Sequence, residues 1–265
     1  YQDDLDVLQD IIDANGNIGN LEPLELGGQT WYIRDWNNSG ALENFHHGRL
    51  GSLVLSNLPI TNFPESIVNL DKLEKLYFSN TQLTAIPVSI GYLTELEGIY
   101  AIGGQLTGPV PSELGNLANL EQLRLQDNQL TGPIPPELGN LTKLTYLWVQ
   151  DNQLTGSIPA ELGNTNLHWL DLSRNQLTGE FPMEIWNINA HYSQSGTPYE
   201  SQGESLRRIS IRENNLTGVI PESICDINLR WRAFNFIDLR DNKFCPPYPS
   251  CLDNRTGQQD ISNCD

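Results

Sequence analysis

From Leu120 to Leu144 the chain reads LEQLRLQDNQLTGPIPPELGNLTKL, and the stretch from Leu144, LTYLWVQDNQLTGSIPAELGNTNL, repeats it with few changes. A tandem unit of 23 or 24 residues limits the fold severely, because one such unit is too small to bury its own apolar side chains. Leu123 and Leu125 alternate with outward residues, the pattern of a short strand with one buried face. Asn128 ends that strand with an amide that both donates and accepts. Pointed inward, it satisfies backbone groups of neighbouring turns, which a leucine could not do. Thr131-Gly132 and the prolines between Pro133 and Pro136 stop the strand and force an extended return path. Glu137 to Leu141 leaves room for a short stretch of 3-10 helix. Stacking of units is obligatory.

The same phase recurs at Leu50, Leu73, Leu96, Leu120, Leu144, Leu167, Leu206 and Phe234, eight turns in all. The run L-T-G-x-[IVF]-P recurs five times, from Leu106, Leu130, Leu154, Leu177 and Leu216. On these motifs the chain, from roughly Leu50 to Phe244, resembles the plant-type subclass of leucine-rich repeats. Plant receptor-kinase ectodomains and polygalacturonase inhibitors carry that subclass. The resemblance implies an α/β fold: a right-handed solenoid capped at both ends. One curved parallel β-sheet forms its concave face, and 3-10 and extended segments form its convex face. A repeat fold of this kind hosts many partners, so the motifs speak for fold more than for function.

The organisation predicted from the phase has three parts. Residues 1–49 form an N-terminal cap. A helix over 3–13 places Leu5, Leu8 and Ile12 on one face, with Asp3 or Asp4 at its start and Asn15-Gly16 at its end. An irregular segment holding Trp31, Tyr32 and Trp36 follows. Residues 50–244 carry the repeats. Leu58, Thr81 and Gly104 stand at the asparagine position of the early turns, so the ladder of inward asparagines begins at Asn128. An excess of polar residues at about 189–204 (NAHYSQSGTPYESQGE) must loop out of the solenoid, as a functional island or as a tolerated insertion. Residues 245–265 form a C-terminal cap, and their CPPYPSC run resembles the tails of secreted leucine-rich-repeat proteins of marine bacteria.

Thirty-three acidic residues against 15 basic ones give a net charge of −18. That argues against nucleic acid and anionic membrane surfaces, both of which need basic patches. No run of 18 apolar residues occurs, so no membrane insertion is expected. No basic start or apolar stretch follows Tyr1, as expected of either a mature, processed chain or one trimmed from a longer protein. The four cysteines, Cys225, Cys245, Cys251 and Cys264, cluster at the end of the solenoid. They predict a disulfide-stapled cap and an oxidising compartment, hence a secreted or cell-surface location. A zinc site is disfavoured, since no C-x-x-C pair is present and no histidine follows His191. Aligning Asn242 with Asn214 brings Cys251 within about two positions of Cys225 in the adjoining turn, within disulfide reach. This pairs Cys225 with Cys251 and leaves Cys245 for Cys264. Sequons at Asn37, Asn140, Asn215 and Asn254 either permit glycosylation or follow from a repeat rich in Asn, Leu and Thr.

Residues that alternate with the core leucines face out of the sheet, so their columns can be searched for a binding face. Tyr77, Tyr100, Tyr146, Trp148 and Trp169 make an aromatic stripe across the middle turns. Arg124, Arg208, Arg212 and Arg240 bring scarce positive charge to the same face. Aromatic and arginine side chains are enriched at binding hot spots. The ligand-binding residues predicted are Tyr77, Tyr100, Arg124, Tyr146, Trp148, Trp169, Asp171, Arg208 and Arg212. No catalytic motif occurs, and the carboxylates of this face are interleaved with Arg and Gln on an open sheet that excludes water poorly. Asp13 to Asn17 fails the calcium-loop pattern, and His46-His47 would point apart on a strand. No enzyme activity, cofactor or metal is expected. The expectation is a monomeric, extracellular, non-catalytic module that recognises a protein or peptide through its concave face. The alternative is a glycan-binding or adhesive surface protein.

Overall fold

The computed structural model describes residues 2–16, 22–26, 28–32, 49–186, 208–226, 236–252, 256–262 and 264. Trp36, His46-His47, the sequons at Asn37 and Asn254, and the insertion expected at 189–204 lie outside them.

The leucine phase places the strands. After β1 (Gly28–Tyr32), β2 (Arg49–Val54), β3 (Lys75–Tyr77) and β4 (Gly98–Tyr100) continue past a small lateral strand β5 (Thr107–Gly108) to β6 (Gln122–Arg124). The lateral strand β7 (Gln129–Gly132) precedes β8 (Tyr146–Trp148), and β9 (Gln153–Leu154) precedes β10 (Trp169–Asp171). Then come β11 (Thr178–Glu180), β12 (Arg208–Ser210), β13 (Asn215–Thr217) and β14 (Phe236–Asp238). Strands β2, β3, β4, β6, β8, β10, β12 and β14 pair in parallel, in that order. Leu53, Leu76, Ile99, Leu123, Leu147, Leu170, Ile209 and Ile237 lie in one register across them. All eight side chains are buried, so each turn supplies the apolar floor its neighbour lacks.

The return paths are 3-10 helices at Glu65–Asn69, Val88–Tyr92, Ser112–Asn116, Pro136–Asn140, Ala160–Asn164 and Glu222–Asp226, and a short α-helix at Met183–Trp186. Adjacent turns come so close here that a Cβ on Gly139 would lie 2.4 Å from the carbonyl oxygen of Glu161. Only glycine fits that approach. The lateral strands form a second, smaller ladder, β5-β7-β9 and β11-β13.

Asparagines fasten the turns from inside. Asn152 accepts from the Leu130 N–H at 2.9 Å and donates to the carbonyls of Leu125, Val149 and Gln150. Asn128, Asn175, Asn214 and Asn242 repeat the pattern. Where the early turn has Thr81, its hydroxyl donates to the Phe78 carbonyl of its own turn instead.

Both ends imitate this ladder. The first helix, α1 (Gln2–Ala14), buries Val7, Leu8, Ile11 and Ile12. Asp4 is buried and does not cap the helix start. It accepts from the Leu50 N–H at 2.7 Å and from the Arg49 guanidinium, tying the helix to the first turn. Asn15 accepts from the N–H groups of Thr61 and Asn62, as an asparagine of a preceding turn would. The segment expected to be irregular contains β1, which pairs antiparallel with β2 and covers that edge of the sheet. At the other end Gln259 accepts from the Phe244 N–H at 3.0 Å and donates to the Leu239 carbonyl at 3.0 Å. Cys225 pairs with Cys251 and Cys245 with Cys264, at Cα separations of 5.6 and 5.5 Å.

Candidate functional site

On the outward side of the main sheet, seven of the predicted residues form one continuous contact chain. The rings of Tyr77 and Tyr100 stack at 4.3 Å with an interplanar angle of 5°. The Arg124 guanidinium carbon lies 5.4 Å from the Tyr100 centroid, 5.8 Å from that of Tyr146 and 4.2 Å from that of Trp148. Trp148 meets Trp169 at 4.4 Å, and Arg208 lies 4.4 Å from the Trp169 centroid. The strands hold these groups one turn apart, about 4.8 Å, so each ring or guanidinium rests on the next.

The order of the chain has local causes. Tyr100 folds down over Gly98, where an added Cβ would lie 2.7 Å from the tyrosine ring. Gln122 accepts from Arg124 Nη2 at 2.8 Å and holds the guanidinium over its neighbours. Tyr146 contacts Trp148 edge-on at 6.2 Å and His168 at 6.5 Å. The sequence reading missed His168, because it stands one position before the outward columns.

The remaining two predicted residues are engaged differently. Asp171 accepts from the Ser173 hydroxyl at 2.6 Å and from its N–H at 3.1 Å. Burial raises its pKa, and the Ser173 hydrogen bonds oppose that shift without cancelling it. Arg212 sits 3.3 Å from Glu213 and 4.0 Å from Asp238. Burial disfavours the Asp238 charge, but the Arg240 guanidinium at 2.6 Å outweighs it and holds this carboxyl below the usual range. Arg212 and Arg240 therefore already share an internal carboxylate. Tyr100 is pushed up to about 12, first by burial and then by the neighbouring Tyr77.

Five buried side-chain atoms on this face have no hydrogen-bond partner among the described residues: Arg124 Nε, Gln126 Oε1, Trp148 Nε1, Gln150 Oε1 and Trp169 Nε1. Gln126 is only 7% exposed. Such atoms are uncommon in folded chains, and here they fall together on three adjacent turns. Gln126 and Gln150 occupy an outward column of the sequence, yet residue type alone did not mark them. Among the described residues, no group of three or more His, Cys, Asp or Glu could hold a metal ion, and no helix is long and apolar enough to cross a membrane.

Several solved structures are similar. The plant peptide hormone receptor RGFR1 in complex with RGF2 is 28% identical, with a TM-score of 0.59 over 73% of this chain and 32% of that one. The ectodomain of the Arabidopsis receptor kinase HAESA, in complex with an extended IDA peptide hormone, is 30% identical, with a TM-score of 0.58 over 73% and 30%. This chain therefore spans about three tenths of the length of these peptide-hormone receptor chains. A plant ice-binding protein is 23% identical and shares the fold, with a TM-score of 0.61 over 94% of this chain and 89% of that one. No curated protein matches. A family model for the leucine-rich repeat region matches residues 24–225, and the chain belongs to that family, with repeats of the plant-receptor type.

Proposed function

We propose that this chain is an extracellular, non-catalytic binding module that takes a peptide or a protein segment across its concave face. The observation that carries the reading is the cluster of five unpartnered polar atoms on the turns of Arg124, Trp148 and Trp169. A buried polar group without a partner costs about 1–3 kcal/mol. A ligand that brings both donors and acceptors, and turns these side chains out toward itself, recovers that cost. An extended main chain does so, offering carbonyls to the indole N–H groups and N–H groups to the glutamine oxygens. The aromatic and arginine chain beside these atoms supplies hot-spot residue types. The two disulfides fit an oxidising, extracellular compartment. The solved relatives that carry peptide hormones, with RGF2 and IDA as ligands, support the same ligand class.

The glycan alternative draws less support. Sugars stack on open ring faces, whereas Tyr77 and Tyr100 cover each other and Arg124 covers Trp148. The test is selection of a displayed peptide library on the intact chain and on the Trp148→Ala variant. Sequences enriched on the first are expected to lose at least about 2 kcal/mol of affinity on the second. Equal retention by both proteins would remove the concave face from the proposal.

A further inference from the structure

A second surface lies on the lateral ladder, away from the concave face. Gln82, Gln105, Gln129, Gln153 and Gln176 stand at one repeat position in five consecutive turns, and all five are exposed. Two residues on, Thr84, Thr107, Thr131, Thr155 and Thr178 are likewise exposed. None of these ten positions is charged, in a chain of net charge −18.

In four of the five turns the threonine belongs to the repeat's own L-T-G signature, Thr84 being followed by Ala85, but the fold does not require the glutamine. No glutamine amide of the strip makes a side-chain hydrogen bond among the described residues, and only the Thr107 hydroxyl is engaged, donating to the Thr84 carbonyl at 2.8 Å. Common descent of the turns does not account for the constancy either. The equally exposed position at the start of the 3-10 helix reads Val88, Ser112, Pro136 and Ala160 in successive turns. An exposed residue drifts there, while the glutamine does not.

Backbone bonds make the strip rigid. Gln82 N–H donates to Ile60, Thr107 to Thr84, Gln129 to Leu106, Thr155 to Gly132 and Gln176 to Leu154, all at 2.8–2.9 Å. The register sets Thr107 beside Gln129 and Thr131 beside Gln153. Hydroxyls and amides thus stand side by side at the strand spacing of about 4.8 Å, on an exposed surface whose residue types recur over five turns.

Such a strip is poorly suited to a soluble macromolecule. It offers no aromatic or arginine anchor, and its fully hydrated groups gain little by exchanging water for another polar partner. A solid made of water is the ligand for which that objection disappears. Its lattice oxygens replace the hydration shell one for one, and the strand spacing is close to the repeat of oxygens in ice layers. We infer that the Gln–Thr strip is an ice-binding face. The plant ice-binding protein is similar in fold alone and contributes nothing to this assignment, which rests on the strip's own residues.

The test is microscopy of single ice crystals grown in a solution of the intact chain, with thermal hysteresis measured on the same sample. The intact chain is expected to facet the crystals and to hold them below the melting point. Thr131→Tyr with Thr155→Tyr, and separately Gln129→Lys with Gln153→Lys, are expected to abolish both effects while the far-UV spectrum and urea midpoint stay unchanged. Trp148→Ala, which tests the concave face, is expected to leave them intact. Rounded crystals with no hysteresis in the intact chain would overturn the assignment. So would full activity in either folded strip variant.

Discussion

Removing the Asn152 side chain tests the internal ladder quantitatively. The amide touches four backbone groups, but their losses on Asn152→Ala are unequal. The Leu125 carbonyl also accepts from Asn128 at 3.1 Å, and the Val149 carbonyl from Asn175 at 3.0 Å, so both keep a partner. The Gln150 carbonyl loses its longest bond, 3.3 Å, and still accepts from the Asp127 N–H. The Leu130 N–H, whose bond is to Asn152 Oδ1, is left bare inside the turn. One orphaned N–H costs about 1–3 kcal/mol, and the weakened carbonyls add less, so about 2 kcal/mol is expected. For a chain of this size that lowers Tm by about 4–8 °C. The control is Asn80→Gly. Asn80 is exposed, donates one bond to Asn57 at 3.0 Å, and has a φ of 54° that glycine adopts without strain. Alanine there would add a backbone penalty unrelated to the ladder. Urea titration of both variants against the parent is the assay. Equal midpoint shifts would refute the claim that the inward asparagines, and not asparagines in general, fasten the turns.

Two further outcomes are expected. Asp171→Asn keeps an acceptor for Ser173 but removes a charge that burial penalises. A carboxyl with a raised folded pKa loses stability as pH rises through that value. The variant is therefore expected to be more stable than the parent at neutral pH, with the difference in urea midpoint vanishing on acidification. Gly98→Ala is expected to drive the Tyr100 ring off its seat. Phenolate absorbance in an alkaline titration would then show this tyrosine ionising near its ordinary 10 instead of about 12. In the parent, the stability linked to Tyr100 is lost as pH rises from 10 through about 12.

The parts of the fold that were legible in sequence are those fixed by burial at a constant period. Leu123, Leu147 and Leu170 can occupy one register only, and Asn128 and Asn152 follow from them because each ends a strand at the same phase. The outward column was legible for the converse reason: Trp148 and Tyr146 alternate with core leucines and cannot be core. What escaped depends on partners distant in sequence. Strand β1 lies outside the repeat, and nothing in Gly28–Tyr32 announces an antiparallel partner. Asp4 reads as a helix cap until Arg49 is seen beside it. The contact between Tyr100 and Arg124 needs a glycine at position 98, a requirement that no periodicity encodes. Among the described residues, seven non-glycine positions with positive φ, including Asp127, Asp151 and Arg174, mark the same corner of successive turns. Their chemical variety hides that shared backbone state.

Gln259 reaches in from the tail and fills the bonds that the asparagine of a further turn would fill. The chain thus ends by mimicry of its own repeat, and so does it begin, at Asn15. Neither end is sensitive to how many units lie between. A gene that gained or lost one unit between Asn128 and Asn214 would present both caps with the same docking surface. The number of rungs is then a free variable, open to adjustment in steps of one turn. A surface whose reach can be lengthened by duplication, without redesign of its boundaries, works as a measuring stick cut to the size of what it meets.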